Sequence, residues 1–358
     1  MVYCAWYLEN RDMCRSIQHS IAEIEDENEM YIESVQEAVF DIVTGPTVVN
    51  SLEVSVKIDG DGKTSAESSS TSSTPPGNDA DLAFSSFPDI RSKDMEREEF
   101  IFKLPTGIYH AVFIQEMKKE ESRGCIQKSI IVRSNKYVYA LPSVLSAHLK
   151  SSDEYSADNV LSLLASRSVE IPRKNDEIRK ILLGQIPESI QALMEKNKNT
   201  ILENLLRCRS FLIVGERPSE VSAVVCYLSV FCGVVYGGDV LPYRSSFVQG
   251  ALKDRILMGV TNEHTHRMKG FDNVLNLKEG KYSYREKECV DDLENLFRNM
   301  EEYFVQNPAG FRVEQWLCRM TDAGASMRAR RTFREFFNSP SFPAWLHSRG
   351  YKIEEKDG

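Results

Sequence analysis

The segment that most restricts how this chain can fold is Phe211–Cys232, where a short apolar run, a glycine and an apolar helix follow one another. Ser219 is a good N-cap, and Glu220 suits the positive end of a helix dipole. The helix is apolar on nearly all sides, through Val221, Val224, Val225, Leu228, Phe231 and Cys232. Such a helix is buried on several sides. With the apolar runs before and after it, it predicts a strand–helix–strand unit with a mostly parallel sheet.

Phosphate-binding loops also turn at a glycine between a strand and a helix, so the same segment raises the question of a nucleotide site. The Walker pattern G-x-x-x-x-G-K-[ST] fails, because Glu220 stands where the second glycine belongs and no lysine follows. The dinucleotide pattern G-x-G-x-x-G fails because Gly215 stands alone, and Glu216 would repel a phosphate. We therefore expect no nucleotide here and no cofactor.

Composition narrows the class of protein. A chain of 358 residues predicts two or three compact units, and its 42% hydrophobic content is ample for buried cores. The net charge of −9 argues against a nucleic-acid partner. None of the eight cysteines forms a CxxC pair, which favours buried thiols in a reducing compartment. No secretory signal is evident, and the longest apolar stretch, Val221–Tyr236, is shorter than the about 20 residues that span a bilayer. We expect a soluble, cytoplasmic protein.

The first half of the chain predicts an α+β unit. Runs rich in β-branched and aromatic residues, bounded by turn-forming clusters, predict five strands: Glu37–Val43, Val48–Ile58, Glu99–Leu104, Ile108–Met117 and Gln127–Arg133. An acidic helix at Arg15–Met30 precedes them, and a helix at Tyr137–Lys150 follows. Ser65–Asp81 has almost no bulky apolar side chains, so it predicts a disordered loop.

The second half predicts the central α/β unit and a helical tail. A helix should begin at Pro187 and end near Leu206, and short strands should occupy Ser210–Val214, Ile256–Val260 and Val274–Leu277. From Glu288 onward the three-four spacing of apolar residues predicts helices only, three of which are Gly310–Met320, Met327–Asn338 and Phe342–Ser348.

The fold class is therefore α/β: an α+β N-terminal lobe, an α/β core lobe and all-α downstream helices. The predicted domains are an acidic extension (1–34), a first lobe (35–150) with a disordered insertion (60–82), a linker (151–185) with a short helix at Ala157–Ala165, a core lobe (186–286), a helical part (287–350) and a charged tail (351–358).

Residues that could carry chemistry are few. His264 and His266 have a spacing that suits metals, but no third ligand lies nearby, so a surface turn is favoured and no metal site is predicted. No spacing of carboxylates, nucleophiles or histidines indicates acid–base or covalent catalysis, so we predict no catalytic residue. On the helix predicted at Met327–Asn338, Phe333, Phe336 and Phe337 should face inward. Arg330, Arg331 and Arg334 predict a basic face on this helix. It is either simply solvated or in contact with an acidic protein or anionic lipid headgroups.

Six separated motifs, in order, resemble the tripartite DENN domain, and most closely its stabilisation-of-polarity-axis branch. They are SFPDIRS (Ser86–Ser92), RGCIQKSIIVRS (Arg123–Ser134), FLIVGERPSEVSAVV (Phe211–Val225), YGGDVLPY (Tyr236–Tyr243), LMGVTN (Leu257–Asn262) and FREFFNSPSFPAWLHSRG (Phe333–Gly350). The resemblance covers roughly 37–350, with the serine-rich stretch as an insertion. It implies that the three predicted units are a longin-like lobe, a core lobe and a downstream helical part.

The resemblance also implies a function: guanine-nucleotide exchange on a Rab-type small GTPase in membrane trafficking, in the cytoplasm and peripherally on endomembranes or the cell cortex. Exchange requires no acid, base or nucleophile, because a protein that prefers the empty GTPase must weaken GDP binding by the same factor. The interface is expected between the lobes, at Asp239, Tyr243, Arg244 and Asn262. For Asp239 and Tyr243, a structural role in turns and packing is the slightly favoured alternative.

Two other functions stay open from the sequence. The first is a scaffold or effector that holds a GTPase without exchanging its nucleotide. The second is a GTPase-activating role like that of folliculin-type longin–DENN complexes, which requires an arginine at the γ-phosphate. Arg217 or Arg244 is the candidate for that arginine.

Overall fold

The computed structural model describes most of the chain between residues 30 and 349. The described residues are 30–41, 43–58, 62–68, 80–88, 96–117, 125–149, 155–166, 171, 175–245, 255–261, 270–284, 292–306 and 311–349. Within them the protein has mixed α/β structure, as the sequence predicted, with two sheets and eleven α-helices.

The first sheet is antiparallel throughout and has the strand order β3-β2-β1-β6-β5-β4. Its strands are β1 (Met30–Asp41), β2 (Gly45–Ile58), β3 (Thr64–Ser68), β4 (Arg97–Leu104), β5 (Gly107–Met117) and β6 (Cys125–Ser134). Alternating side chains of these strands face opposite sides of the sheet, so each face needs its own cover. Helices α2 (Leu141–Leu149) and α3 (Ala157–Ala165) cover one face, and α1 (Ala80–Ser86) packs on the other. We call this unit the first lobe.

The second sheet has the order β11-β10-β7-β9-β8, parallel except for β11. Its strands are β7 (Phe211–Val214), β8 (Asp239–Arg244), β9 (Ile256–Val260), β10 (Asn273–Asn276) and β11 (Lys281–Tyr284). Three helices precede β7: α4 (Asn175–Gln185), α5 (Glu188–Lys196) and α6 (Lys198–Leu206). The predicted mostly parallel sheet is confirmed. We call this unit the second lobe.

Helix α7 (Pro218–Ser229) follows β7 and is buried along nearly its whole length. It contacts β7, β8 and β9 of its own sheet, α4, and β4 of the first lobe. Its apolar residues therefore meet protein on several sides, which is why a helix without a polar face is stable here. The prediction from its sequence pattern is confirmed.

The C-terminal part is helical, as predicted, with α8 (Leu293–Gln306), α9 (Val313–Asp322), α10 (Met327–Phe337) and α11 (Ser341–Ser348). Edge-to-face contacts join its aromatic rings: Phe297 lies 5.8 Å from Phe336 and 6.1 Å from Trp345 between ring centroids. Such pairs add about 0.5–1.5 kcal/mol each beyond the area that they bury. One continuous apolar core runs from α1 and one face of the first sheet through α7 into these helices.

Several segments differ from the prediction. The expected linker 151–185 contains α3, with the bounds predicted for it, and the unpredicted α4. The single helix expected from Pro187 is two helices, because Asn197 ends the first by donating its side-chain N–H to the Leu193 carbonyl. The expected insertion 60–82 contains β3 at one end and the start of α1 at the other, whereas residues 69–79 lie outside the described residues. The helix predicted at Arg15–Met30 also lies outside them, except for Met30, which begins β1.

A buried histidine lies in the first sheet. The Ser134 hydroxyl donates to the Lys136 carbonyl (2.6 Å), so His110 donates its Nε2–H to the Ser134 oxygen (2.8 Å). His110 is fully buried and its Nδ1 has no partner among the described residues. Burial lowers the pKa of His110 from 6.5 to about 3, because the charged ring cannot be hydrated there.

This histidine should make the fold sensitive to acid. The unfolded chain takes up a proton near pH 6.5, but the folded chain does so only near pH 3, so His110 supports the fold above pH 6.5 and this support declines as the pH falls. As the pH falls below 6.5, His110 should lower the free energy of unfolding of the parent by up to about 1.4 kcal/mol per pH unit. The variant His110→Gln should not show this loss. Urea unfolding of His110→Gln between pH 7.5 and 4.5 measures this slope, with His347→Gln, at an exposed position, as the control. If the free energy of unfolding changed with pH in the same way for His110→Gln and the parent, the prediction would be wrong.

Candidate functional site at the interlobe seam

The two lobes meet at a surface that we call the interlobe seam. It consists of β4 and Tyr137–Tyr139 from the first lobe, and of α7 with the turn before it and β8 from the second. Strands β4 and β8 are the edge strands of their sheets, so each brings unpaired backbone groups to the seam. The predicted contact residues on β8 place the candidate functional site here.

A buried carboxylate from the first lobe occupies the N-terminus of α7. Glu98 has a fully buried side chain and accepts hydrogen bonds from Arg217 Nε (2.8 Å) and from the backbone N–H of Ser219 (3.0 Å). Arg217 NH2 lies 2.7 Å from the same carboxylate. The first turn of a helix carries unpaired N–H groups and a partial positive charge, which attract an anion. The helix start that resembles a phosphate loop thus binds a carboxylate of the same protein.

The glycine in this turn serves packing. A Cβ at Gly215 would lie 2.6 Å from Val221 Cγ2 and 3.1 Å from Leu277 Cδ1. Both distances are shorter than ordinary van der Waals contacts, so only glycine lets β7, α7 and the chain after β10 approach this closely. Glu216 is exposed and pairs with Lys278 at 2.7 Å. Gly215 and Glu216 therefore have structural explanations that need no ligand.

Glu98 was not recognised in the sequence, although one signal pointed to it. In Arg97–Leu104 the buried residues Phe100 and Phe102 recur at every second position, and Glu98 is in phase with them. A charged residue in phase with a buried face indicates that a partner reaches it inside the protein. The partner itself could not be named, because Arg217 lies 119 residues away.

Backbone and hydroxyl groups close the rest of the seam. The Ser222 hydroxyl accepts from Ile101 N (2.9 Å) and lies 3.4 Å from Ile101 O, so it takes the place of a neighbouring strand at the edge of β4. Tyr137 donates its hydroxyl to the Val240 carbonyl (2.6 Å). The Tyr139 hydroxyl lies 3.3 Å from Ser229 Oγ. Burial raises the pKa of both tyrosines, so both stay neutral donors at physiological pH.

The predicted contact residues on β8 differ in exposure. Tyr243 is 1% exposed, and its ring packs edge-on against Phe100 with centroids 5.0 Å apart. Its assignment as a partner contact is therefore corrected: Tyr243 is a packing residue of the seam. Asp239 and Arg244, at the two ends of β8, are half-buried and keep part of their side chains at the surface. Asn262 lies outside the described residues, as do His264 and His266.

The basic helix α10 has both a buried and an exposed side. Arg328 pairs with Glu203 of α6 (3.0 Å), whose side chain is 2% exposed. Arg330 donates to Thr321 Oγ1 (3.0 Å), while Arg331, paired with Glu335 (2.9 Å), and Arg334 are exposed. The phenylalanines of this helix face inward, as the sequence predicted. Of the three arginines predicted to contact an acidic protein or anionic lipid, Arg331 and Arg334 are therefore accessible, and Arg330 is half-buried beside them.

Within the described part of the chain, no group of three or more histidine, cysteine, aspartate and glutamate side chains could hold a metal ion. None of the described helices is long and apolar enough to cross a membrane. A scan against models of protein families finds no match for this chain, and a search of the curated proteins finds none either.

Proposed function

We propose that this protein is a guanine-nucleotide exchange factor of the DENN type, which binds a Rab-type small GTPase at the interlobe seam and promotes the release of its GDP. The observation that carries the proposal is the succession of three units: an antiparallel α+β lobe, a mostly parallel α/β lobe and a helical tail. The six sequence motifs imply the same order. The motifs and this architecture are what support the proposal.

The seam is suited to such a role because it is rigid. Buried contacts join the lobes on both sides of β8, through Tyr137 and Val240 at one end and Phe100 with Tyr243 at the other. These contacts hold the backbone of β8, which carries the partly exposed side chains of Asp239 and Arg244, between the two lobes. A rigid surface that fits a switch loop in the nucleotide-free arrangement binds that arrangement better. By linkage it then weakens GDP binding by the same factor.

This mechanism places no chemical step on the protein. The nucleotide is bound by the GTPase, and the protein contributes only differential contacts to loops that the nucleotide orders. The action proposed for the protein takes place in the cytoplasm, at the surface of endomembranes or the cell cortex. Arg331 and Arg334 would contact anionic lipid there.

The GTPase-activating alternative is weaker for Arg217 than for Arg244. Arg217 is held by Glu98 within the seam, so it would have to leave a buried carboxylate in order to reach a γ-phosphate. Such a move costs the free energy of an unpaired buried charge. No observation favours this alternative over exchange.

The direct test is nucleotide release. A panel of Rab-type GTPases loaded with fluorescent GDP is mixed with the purified protein, and we expect at least one to release GDP about tenfold faster or more, which lowers the barrier to release by about 1.4 kcal/mol. The double variant Asp239→Ala/Arg244→Ala should lose most of this acceleration. Lys281→Ala, at the opposite edge of the second sheet, is the control and should retain it.

The panel also separates the alternatives. Binding that is equally tight to GTP-loaded and empty GTPase, without acceleration, would indicate a scaffold or effector. If the protein binds none of the GTPases and accelerates GDP release from none of them, the proposal is rejected. Thermal unfolding of each variant establishes that a lost activity does not result from a lost fold.

A further inference from the structure

A polar cleft of about 570 Å³ lies between the second lobe and the helical tail, away from the interlobe seam. Its walls come from the residues just before three parallel strands, namely Ser210 before β7, Arg255 before β9 and Asp272 before β10, and from the end of α10. The volume is within the range of about 300–1,000 Å³ that is typical of small-molecule sites. Among the described residues, no large apolar side chain lines it, so the cleft suits a polar ligand.

Three arginines give the cleft its charge. Arg207, with a side chain that is 4% exposed, forms its floor, and Arg209 and Arg255 are nearer to solvent. The two acids in the walls are already engaged. Glu335 pairs with Arg207 and with Arg331 of α10, and Asp272 accepts from the backbone N–H and the hydroxyl of Ser210 (3.2 and 3.0 Å). The lining therefore has an excess of positive charge, in a protein whose net charge is −9.

Arg255 is the member of this cluster for which the described residues provide no counter-charge. Its side chain is exposed, and within the described residues its guanidinium makes no hydrogen bond or ion pair. Like charges that share a cleft repel one another, and a bound anion would relieve this repulsion. The planar guanidinium group donates in pairs to phosphate oxygens, which makes arginine the residue that best fits a phosphate.

We propose that this cleft binds a phosphate group, carried either by a small soluble molecule or by a lipid headgroup. Arg209 and Arg255 contact the phosphate oxygens, and the buried Arg207 supplies positive charge beneath them. The proposal does not depend on the exchange activity, because the cleft shares no residue with the interlobe seam.

Calorimetric titration with pyrophosphate and with inositol hexakisphosphate, at about 150 mM salt to suppress non-specific attraction, tests the soluble source. Co-sedimentation with phosphatidylcholine vesicles, with and without phosphatidylinositol phosphates, tests the lipid source. The variant is Arg209→Gln/Arg255→Gln. The control is Arg298→Gln/Arg319→Gln, which removes the same charge from exposed arginines on α8 and α9.

We expect binding in at least one arm, at least about tenfold weaker in the cleft variant and within about twofold of the parent in the control. Binding to the soluble probes alone assigns a free phosphate compound, and binding to the charged vesicles alone assigns a lipid headgroup. Absence of binding in both arms would overturn the proposal. So would equal binding by the parent and a cleft variant whose thermal unfolding matches that of the parent.

Discussion

Replacing Glu98 by alanine should lower the free energy of unfolding by about 2–3 kcal/mol. The substitution removes the acceptor of the Ser219 N–H and of Arg217 from a position without solvent access, so the first turn of α7 loses its anion. Arg217, whose side chain is 51% exposed, can regain water, which keeps the loss below that of a fully buried pair. Urea denaturation followed by circular dichroism measures the change.

Two further variants separate the causes of this loss. Glu98→Gln keeps the shape and one acceptor oxygen but not the charge, so it should cost roughly half as much. Glu99→Ala makes the same change at the next, half-exposed residue of β4 and should stay within about 0.5 kcal/mol of the parent. If Glu98→Ala were no more costly than Glu99→Ala, the carboxylate would not be what holds α7 to the first lobe.

Replacing Glu203 by alanine should cost more, about 3–4 kcal/mol. Its carboxylate is 2% exposed and accepts from Arg328 (3.0 Å) and Thr332 (3.2 Å) of α10, and it lies 3.4 Å from Arg207. Without it, Arg207 keeps only part of its counter-charge in a position that is 4% exposed, and α6 loses its polar contact with α10. Chemical denaturation again gives the value.

Glu195→Ala on the preceding helix is the matched control. Glu195 is 71% exposed and its pair with Lys198 (3.3 Å) is solvated, so its removal should change stability by less than about 0.5 kcal/mol. Equal losses for Glu203→Ala and Glu195→Ala would mean that the buried pairs add nothing beyond a surface ion pair.

The arginines of α10 show why a sequence pattern alone does not separate the inward-facing from the outward-facing residues of a helix. The spacing placed the phenylalanines inward and the arginines outward, and the phenylalanines are indeed buried. Arg328, however, reaches back to a buried acid on α6, 125 residues earlier in the chain. The long flexible side chain of arginine can span from a helix surface to a buried acid, which periodicity does not record.

Elements that depend on local residues were predicted well, and those that depend on neighbours were not. The bounds of α3 and the strand–turn–helix around Gly215 follow from apolar spacing within a few turns, although α7 begins at Pro218 and the predicted N-cap Ser219 lies inside it. Strand β8 was missed, because it is short and carries a proline. It is a strand because β9 pairs with it and β4 packs on it.

The sequence by itself determined that this chain has an α+β unit, a buried apolar helix beside a mostly parallel sheet, and a helical tail. These follow from β-branched and aromatic runs between turn residues, from a helix that is apolar on nearly all sides, and from the three-four spacing of apolar residues in the tail. It also determined that the turn at Gly215 is not a nucleotide loop, because the required spacing is absent. Only the tertiary structure decided what that turn does bind: the carboxylate of Glu98, brought by the edge strand of the other lobe. It likewise buried Tyr243 against the first lobe and assembled the arginine cleft from the second lobe and the helical tail, since residues far apart in sequence meet only in the folded chain.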